Sequence, residues 1–370
     1  MYQVEFELKV VTPLYMFGAY QDRPEIRASE FKGMLRFWWR ALKGNDNIAE
    51  LKREEEEIFG GTSSETGKSK VSIRVIKGDV ERYIGNNLKR DYQLGSRDRG
   101  ILYLLYSMLR RRGGEERKYF KPPGKFKVIL FAQKDEIALK NAVAAFWCAV
   151  NLGNFGARSR RGAGSLVVSG VRGSTYGLDF IPKGKSSEEL SKWILENLKK
   201  AAGIVNTAGG GCKSYSSLVN SSLIVTKESY ECWWKALGAL GSVYMDFRKS
   251  SENRMQRAAF GLPVVFMNKD KIIGIDIDKG KDEGKINRRS SPLLFKIIES
   301  EGRYYWLVLR FGGKFLPEGV KLAMVSGQES AKGQGEKLIT EEPSFELLDA
   351  FWNKLTKDNN NEYHIDLVQG

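Results

Sequence analysis

The chain has 370 residues, 42 % hydrophobic and 11 % aromatic, which excludes a disordered or collagen-like polymer and exceeds what one compact core usually holds. Sixty basic residues against 45 acidic ones leave a net charge of +15, a field that attracts polyanions. Three cysteines with no CxxC spacing exclude a disulfide framework and a sulfur-ligated metal, and the lack of any run of eighteen apolar residues excludes an apolar membrane span.

MYQVEFELKV alternates apolar and polar positions and predicts a strand over 2–12 rather than a charged leader, so a cytoplasmic protein without a membrane partner is expected. Residues 29–43 have helical period, with Phe31, Leu35, Trp38 and Leu42 on one face, Ser29 as N-cap and Gly44 as the stop. A strand at 70–77, a helix at 98–112, a strand at 126–132, a helix at 135–152 and the strand SLVVSGV complete a first half. The stretch 173–187, rich in glycine, proline and serine, is the candidate linker. Beyond it helices are expected at 187–202, 229–241 and 344–356, and strands at 261–267, 272–277 and 304–311. This mixture predicts an α+β fold in two domains, 1–172 and 173–370, with a single large domain as the alternative. TPLYMFG at 12–18 and SPLLFKI at 291–297 echo each other as a duplicated domain with rearranged parts would.

Of the 15 excess positive charges, 11 fall in residues 1–170, which hold 31 basic and 20 acidic side chains. The most pointed local feature there is NFGARSRRGAGSLVV, residues 154–168, between a predicted helix and a predicted strand. Gly156, Gly162 and Gly164 bracket Arg158, Arg160 and Arg161. Glycines let a backbone approach a ligand closely, and guanidinium forks match phosphate oxygens, so a phosphate cradle is the functional reading. Glycines alone would indicate a solvated tight turn; three arginines within the loop tip the balance to the cradle. Ala163, Ser165 and Val168 stand where an RNA-recognition motif wants aromatics, so the loop is not that module.

On the helix SEFKGMLRFWWRALK, Lys32, Arg36, Arg40 and Lys43 share a stripe about 120° from the apolar arc. Like charges at i,i+4 destabilise a helix unless an anion lies along them, and Arg27 would extend such a footprint. A solvated face neutralised by the acidic run Glu54 to Glu57 is the equally open alternative, and Trp39 beside the stripe fits a core role better than base stacking. GTSSETGKS at 61–69 fails as a P-loop, since five residues separate its glycines and a strand follows it. TAGGGCKS at 207–214 has no Rossmann spacing and reads as a loop that could touch phosphate. His364 is the only histidine, which excludes paired-histidine ribonuclease chemistry; Asp22 and Asp98 are more simply surface aspartates than catalytic ones.

TPLYMFGA, RASEFKGMLRFWWRAL, EEEIFGG, GARSRRGAGSL and, in the second half, RRSSPLLFKI resemble the RAMP superfamily of CRISPR-associated proteins, and within it the first Cmr-type subunit of type III-B effector complexes. The superfamily's glycine, five residues, then Gly-x-Gly is matched by Gly156, Gly162 and Gly164. The resemblance implies two ferredoxin-like domains with insertions, each a four-stranded antiparallel sheet with two helices. It also implies an antiviral ribonucleoprotein in which the subunit contacts the 3′ part of the guide RNA and the target single-stranded RNA beside other Cmr-complex RAMP subunits. Target cleavage belongs to a different, backbone-forming subunit, so the expectation is no catalysis, no cofactor and no metal. Guide-processing relatives use a first-domain histidine that this chain lacks, whereas Asp22 lies in the region of the cleaving subunit's catalytic loop. A RAMP-type endoribonuclease acting on single-stranded RNA is therefore the alternative. The expected RNA-binding surface joins Lys32, Arg36 and Arg40 to Arg158, Arg160 and Arg161, flanked by Arg27, with Arg257 and Arg289 contributed by the second half.

Overall fold

Val4, Phe6, Leu8 and Val10 are buried while Glu5, Glu7 and Lys9 between them are half-exposed, so the first strand, β1 (Tyr2–Val10), turns one face to a core as its alternation predicts. The computed structural model describes residues 1–61, 66–109, 116–208, 212, 214–251, 253–266, 270–276, 284–325, 339–359, 362–365 and 367. After β1 the chain forms α1 (Ala28–Lys43), α2 (Ile48–Phe59), β2 (Val71–Ile76), α3 (Arg99–Leu104), β3 (Lys125–Ala132), α4 (Glu136–Asn151) and β4 (Leu166–Gly173). The four strands lie in the order β2-β3-β1-β4, antiparallel throughout, with Phe6 opposite Val128 on one side and Val171 on the other. Asp135 caps α4 by accepting from the Ala138 amide, and thirteen residues of that helix are buried, which makes it the central element of the core.

The second half contributes α5 (Ser187–Val205), β5 (Ser217–Val225), α6 (Trp233–Ser250), β6 (Lys271–Asp276), β7 (Leu293–Ser300), β8 (Arg303–Gly312), β9 (Val320–Val325), α7 (Glu346–Asn359) and β10 (Glu362–Ile365). Here the order is β7-β8-β5-β10, again antiparallel. Both sheets therefore follow one βαββαβ path with the same strand order, consistent with ferredoxin-like units. A further sheet built on β6 and β9 is inserted twice into the second path, between α6 and β7 and between β8 and α7. No helix among the described residues is long and apolar enough to cross a membrane.

Several expectations meet corrections. α1 begins at Ala28 with Arg27 in the cap position and no side-chain cap bond, so Ser29 lies inside the helix; Gly44 ends it at φ 64° as expected. The helix expected over 98–112 breaks at Leu105 and resumes at Tyr106–Leu109, with 110–112 outside the described residues. α2 was legible only as an acidic run, yet Leu51, Glu55 and Phe59 give it a buried side. The strands β5 and β7 were missed because they are buried on both faces and show no alternation. The echoing heptapeptides are not equivalent: 12–18 follows the first strand of its sheet, whereas 291–297 enters the second strand of the other. Residues 62–65 of the rejected P-loop and 209–211 and 213 of TAGGGCKS lie outside the described residues.

The largest apolar core contains Phe6, Phe31 and Trp147 from the first half, and Leu190, Trp193, Leu218 and Leu223 from the second. It does not divide at residue 172. β4 and β7, the neighbouring edges of the two sheets, meet along a polar seam. Asn154 donates to Phe295 O at 2.7 Å and accepts from Ser165 Oγ at 2.6 Å, and that hydroxyl accepts from the Ile297 amide at 3.2 Å. Lys296, itself buried, donates to Gly153 O and Leu166 O at 2.9 and 3.3 Å.

Candidate nucleic-acid interface

The glycine-arginine loop runs from α4 to β4 and is strapped across this seam. Thr12 donates to Gly162 O at 2.7 Å, and Arg161 forms an isolated parallel bridge with Phe295. Gly156, Gly162 and Gly164 all have positive φ, as does Arg158 at 62°. A Cβ on Gly164 would stand 1.9 Å from Phe155 O, one on Gly156 2.5 Å from Tyr15 O, and one on Gly162 2.5 Å from the Leu237 side chain. Their freedom is thus used to pack the loop against the protein. Gly162 and Gly164 are buried, so the expectation that they touch a ligand directly is corrected: they aim the arginines.

The arginines Arg158, Arg160 and Arg161 line a cleft of about 1100 Å³, and the second half supplies its other cations, Arg248, Arg257, Arg288 and Arg289. Among the described residues, neither an aspartate nor a glutamate lines the cleft. The guanidinium groups are held by neutral partners. Arg158 donates from Nε to Leu104 O at 2.8 Å, Arg161 to Phe260 O at 2.8 Å, Arg257 to Ser251 O at 2.8 Å and Arg289 to Phe315 O at 2.7 Å. Arg160 is sandwiched by Phe37 and Phe311 at 5.2 and 4.4 Å, and Arg161 and Arg248 share the ring of Tyr244 at 5.0 and 5.6 Å. Carbonyl dipoles and ring faces orient the cations without cancelling them. Arg160 Nη1, Arg248 Nε and Arg257 Nε are buried with no hydrogen-bond partner.

Electrostatics express the same imbalance. Burial, helped by the neighbouring Arg161, pulls Arg158 down to about 10; burial with Arg161 and Arg289 nearby pulls Arg160 down to about 9. Burial also lowers Arg161 and Arg289. Guanidinium groups remain charged at neutral pH, so the shifts record a crowded, desolvated positive charge that an anion would relieve. At the mouth, Tyr106 is 62 % exposed and lies 5.1 Å from the Arg158 guanidinium. An anion with a flat hydrophobic part finds both of its partners here.

The helix stripe does not join this cleft, which corrects the expectation of one continuous surface. Glu30 and Phe37 of α1 face the loop, through the Gly156 amide and the Arg160 guanidinium, whereas Lys32, Arg36 and Arg40 point about 120° further round the helix. Arg36 and Arg40 pair with opposite oxygens of the buried Glu55 at 2.6 and 2.5 Å, and Lys43 pairs with Glu54 at 2.7 Å. The stripe is the neutralised face weighed as the alternative. Burial and the adjacent Arg36 lower Lys32, while Arg27 is exposed beside the α1 N-terminus. Trp39 is buried, donating to Asn141 Oδ1 at 2.9 Å.

Arg248, Arg288 and Tyr106 escaped the sequence reading. Arg288 stands beside Arg289 in RRSSPLL, a doublet that invited attention; Arg248 lies one helical turn after Tyr244 in α6, a spacing that carries no signal by itself. Asp22 is exposed and does not line the cleft, and Asp98 accepts from the Gly95 amide at 2.8 Å.

The RAMP superfamily model matches residues 7–169, a span that includes α1, α4 and the glycine-arginine loop. CRISPR system Cmr subunit Cmr1-2 of Pyrococcus furiosus is 37 % identical over 191 residues, 46 % of this chain and 98 % of that protein. Cmr subunit Cmr1-1 of the same organism is 28 % identical over 323 residues, 84 % of this chain and 88 % of that protein. The crystal structure of apo Cmr1 from P. furiosus superposes with a TM-score of 0.65 at 23 % identity, covering 99 % of both chains. A chain in the cryo-EM structure of a type III-B Cmr-beta bound to cognate target RNA superposes with a TM-score of 0.55 at 15 % identity, covering 96 % of this chain and 99 % of that one. The chain belongs to the RAMP superfamily, and within it to the Cmr1 family of CRISPR system subunits.

Proposed function

We propose that this protein is a non-catalytic, RNA-binding subunit of a cytoplasmic type III-B CRISPR effector acting in antiviral defence, and that the arginine cleft holds the phosphates of single-stranded RNA. The observation that carries the reading is the cleft itself: seven arginines with no carboxylate among the described lining residues, three of them with an orphaned buried N–H. Such a site is costly to leave empty and matches a run of phosphates. The family supports the partner, since its relatives are Cmr subunits and a fold neighbour belongs to a complex bound to target RNA. On this reading the strand is the 3′ part of the guide, the target, or both, and other Cmr-complex RAMP subunits flank the chain. The two βαββαβ sheets are its two ferredoxin-like domains, 1–172 and 173–370. Arg158, Arg160, Arg161, Arg257 and Arg289, with Arg248 and Arg288, make the phosphate contacts. Arg27 and Lys32 flank the site at a distance, and Arg36 and Arg40 hold α2 on α1.

The test is binding of end-labelled single-stranded RNA across a salt series, with RNA integrity followed on a denaturing gel. Binding that weakens with salt and leaves the RNA intact is expected. Arg257→Ala and the exposed Arg288→Ala should each lower the log–log salt slope by about 0.7 if one phosphate contact is lost. An unchanged slope in both variants sinks the cleft assignment, and shortened RNA lost on Asp22→Ala would establish the endoribonuclease instead.

A further inference from the structure

A second cavity, of about 350 Å³, adjoins the arginine cleft. Phe311 links the two: the residue borders the cavity, while its ring, on the opposite face of β8 from Arg310, carries the Arg160 guanidinium at 4.4 Å. The backbone links them again, Ser291 lining the cleft and Pro292 the cavity. A strand whose phosphates occupy the cleft therefore has a neighbouring recess.

The chemistry of this recess is of another kind. Ser222 on β5 and His364 on β10 are direct cross-strand partners whose side chains share a hydrogen bond of 3.0 Å, and the exposed Asn220 lies two residues along the same strand. Glu362 accepts from Trp352 Nε1 at 2.7 Å, which leaves lone pairs for a further donor. The one guanidinium here, Arg310, is paired with Asp349 at 2.5 Å. With that pair neutral, the Glu362 carboxylate leaves the recess mildly acidic, which suits neutral hydrogen-bond donors and disfavours a phosphate. The rings of Phe345 and Trp352 contribute flat apolar surface, and the volume falls in the range of about 300–1,000 Å³ typical of small-ligand sites.

We propose that this cavity takes one nucleobase of the single-stranded RNA whose phosphates lie in the arginine cleft, an inference that rests on the function proposed above. The base lies against the apolar rings and exchanges hydrogen bonds with Asn220, Ser222 and His364. The cleft then binds any sequence, and the cavity supplies a base preference.

His364 is the only histidine in the chain, so the full-length protein carrying isotope-labelled histidine reports the cavity by its one imidazole signal. Short oligo(A), oligo(C) and oligo(U) RNAs would be titrated in, with the ring signal followed by NMR and affinity by fluorescence anisotropy. The ring signal should move by amounts that depend on the base. The surface double variant Asn220→Ala, Ser222→Ala should weaken the best binder about tenfold, as loss of one base contact does, and level the three affinities without changing the salt slope. Salt-sensitive binding with an unmoved His364 signal and an unaltered base ranking in the double variant overturns the base site and leaves the cleft intact. Failure of all three RNAs to bind at low salt overturns both.

Discussion

Lys296 shows at the scale of one residue what the seam between the sheets costs. Its ammonium is buried against Gly153 O and Leu166 O with no carboxylate beside it among the described residues, and burial pulls it from 10.5 down to about 7. Between those two values the unfolded chain holds a proton that the folded chain has released, so stability rises with pH across that window. The cost of the buried charge is present in full below pH 7 and is gone by about pH 10.5. Denaturant midpoints at pH 7 and pH 9.5 should therefore separate the native protein from Lys296→Met, the native one gaining on the order of a few kcal/mol more. Parallel pH dependence in the two would show that Lys296 is not the group responsible. Of the single residues singled out in the sequence, Arg158, Arg160, Arg161, Arg257 and Arg289 do converge on one cleft, because glycine spacing and arginine doublets are local features. Arg36 and Arg40 do not, because their partner Glu55 sits on a helix that sequence showed only as a run of charge.

At the scale of elements, the far wall of the cleft depends on how closely α3 packs on α6. A Cβ at Gly241 would lie 2.5 Å from the Gly100 backbone, and one at Gly100 2.3 Å from Gly238 O. Two helices touching through glycines bring Tyr103, Leu104 and Tyr106 to the arginine loop, where Leu104 O accepts from Arg158. Gly241→Ala is expected to push α3 outward, lowering stability by about 1–3 kcal/mol. RNA affinity should fall with it, while the far-UV circular dichroism of the helices is kept. Thermal melts and the salt-series binding assay check this; full affinity in a destabilised variant would remove the α3 wall from the site. Neither Gly100 nor Gly241 attracts notice in the sequence, since each is read within a helical stretch and its partner is about 140 residues away.

For the whole molecule, the decisive feature is that the core crosses the boundary between the two sheets. Phe6 and Trp147 share a cluster with Trp193 and Leu223, and Arg161 is tied to Phe295 across the seam. Two βαββαβ sheets joined this way should melt as one cooperative transition. Residues 1–172 and 173–370 expressed apart should bind a hydrophobic dye and fail to show sharp melts, and independent two-state melting of both pieces would refute the shared core. The positive charge belongs to this scale too. The sequence placed most of the excess in the first half, yet four of the seven cleft arginines come from the second.

Alternation in 2–12, the apolar stripe of 29–43 and the helix–loop–strand context of NFGARSRRGAGSLVV were determined by the sequence alone, because each depends on residues within a few positions of one another, and the basic balance is a plain count. Together they were enough for the mixture of helix and strand and one wall of the cleft, while the family was legible in the resemblance of motifs such as TPLYMFGA and GARSRRGAGSL. Tertiary structure alone decided the rest. Strands buried on both faces carry no period, a guanidinium does not announce whether a carboxylate will meet it, and the companions of Arg160 lie more than a hundred residues away on other elements. Whether a basic side chain becomes a paired strut or an open anion site is settled by which surface the fold turns toward it.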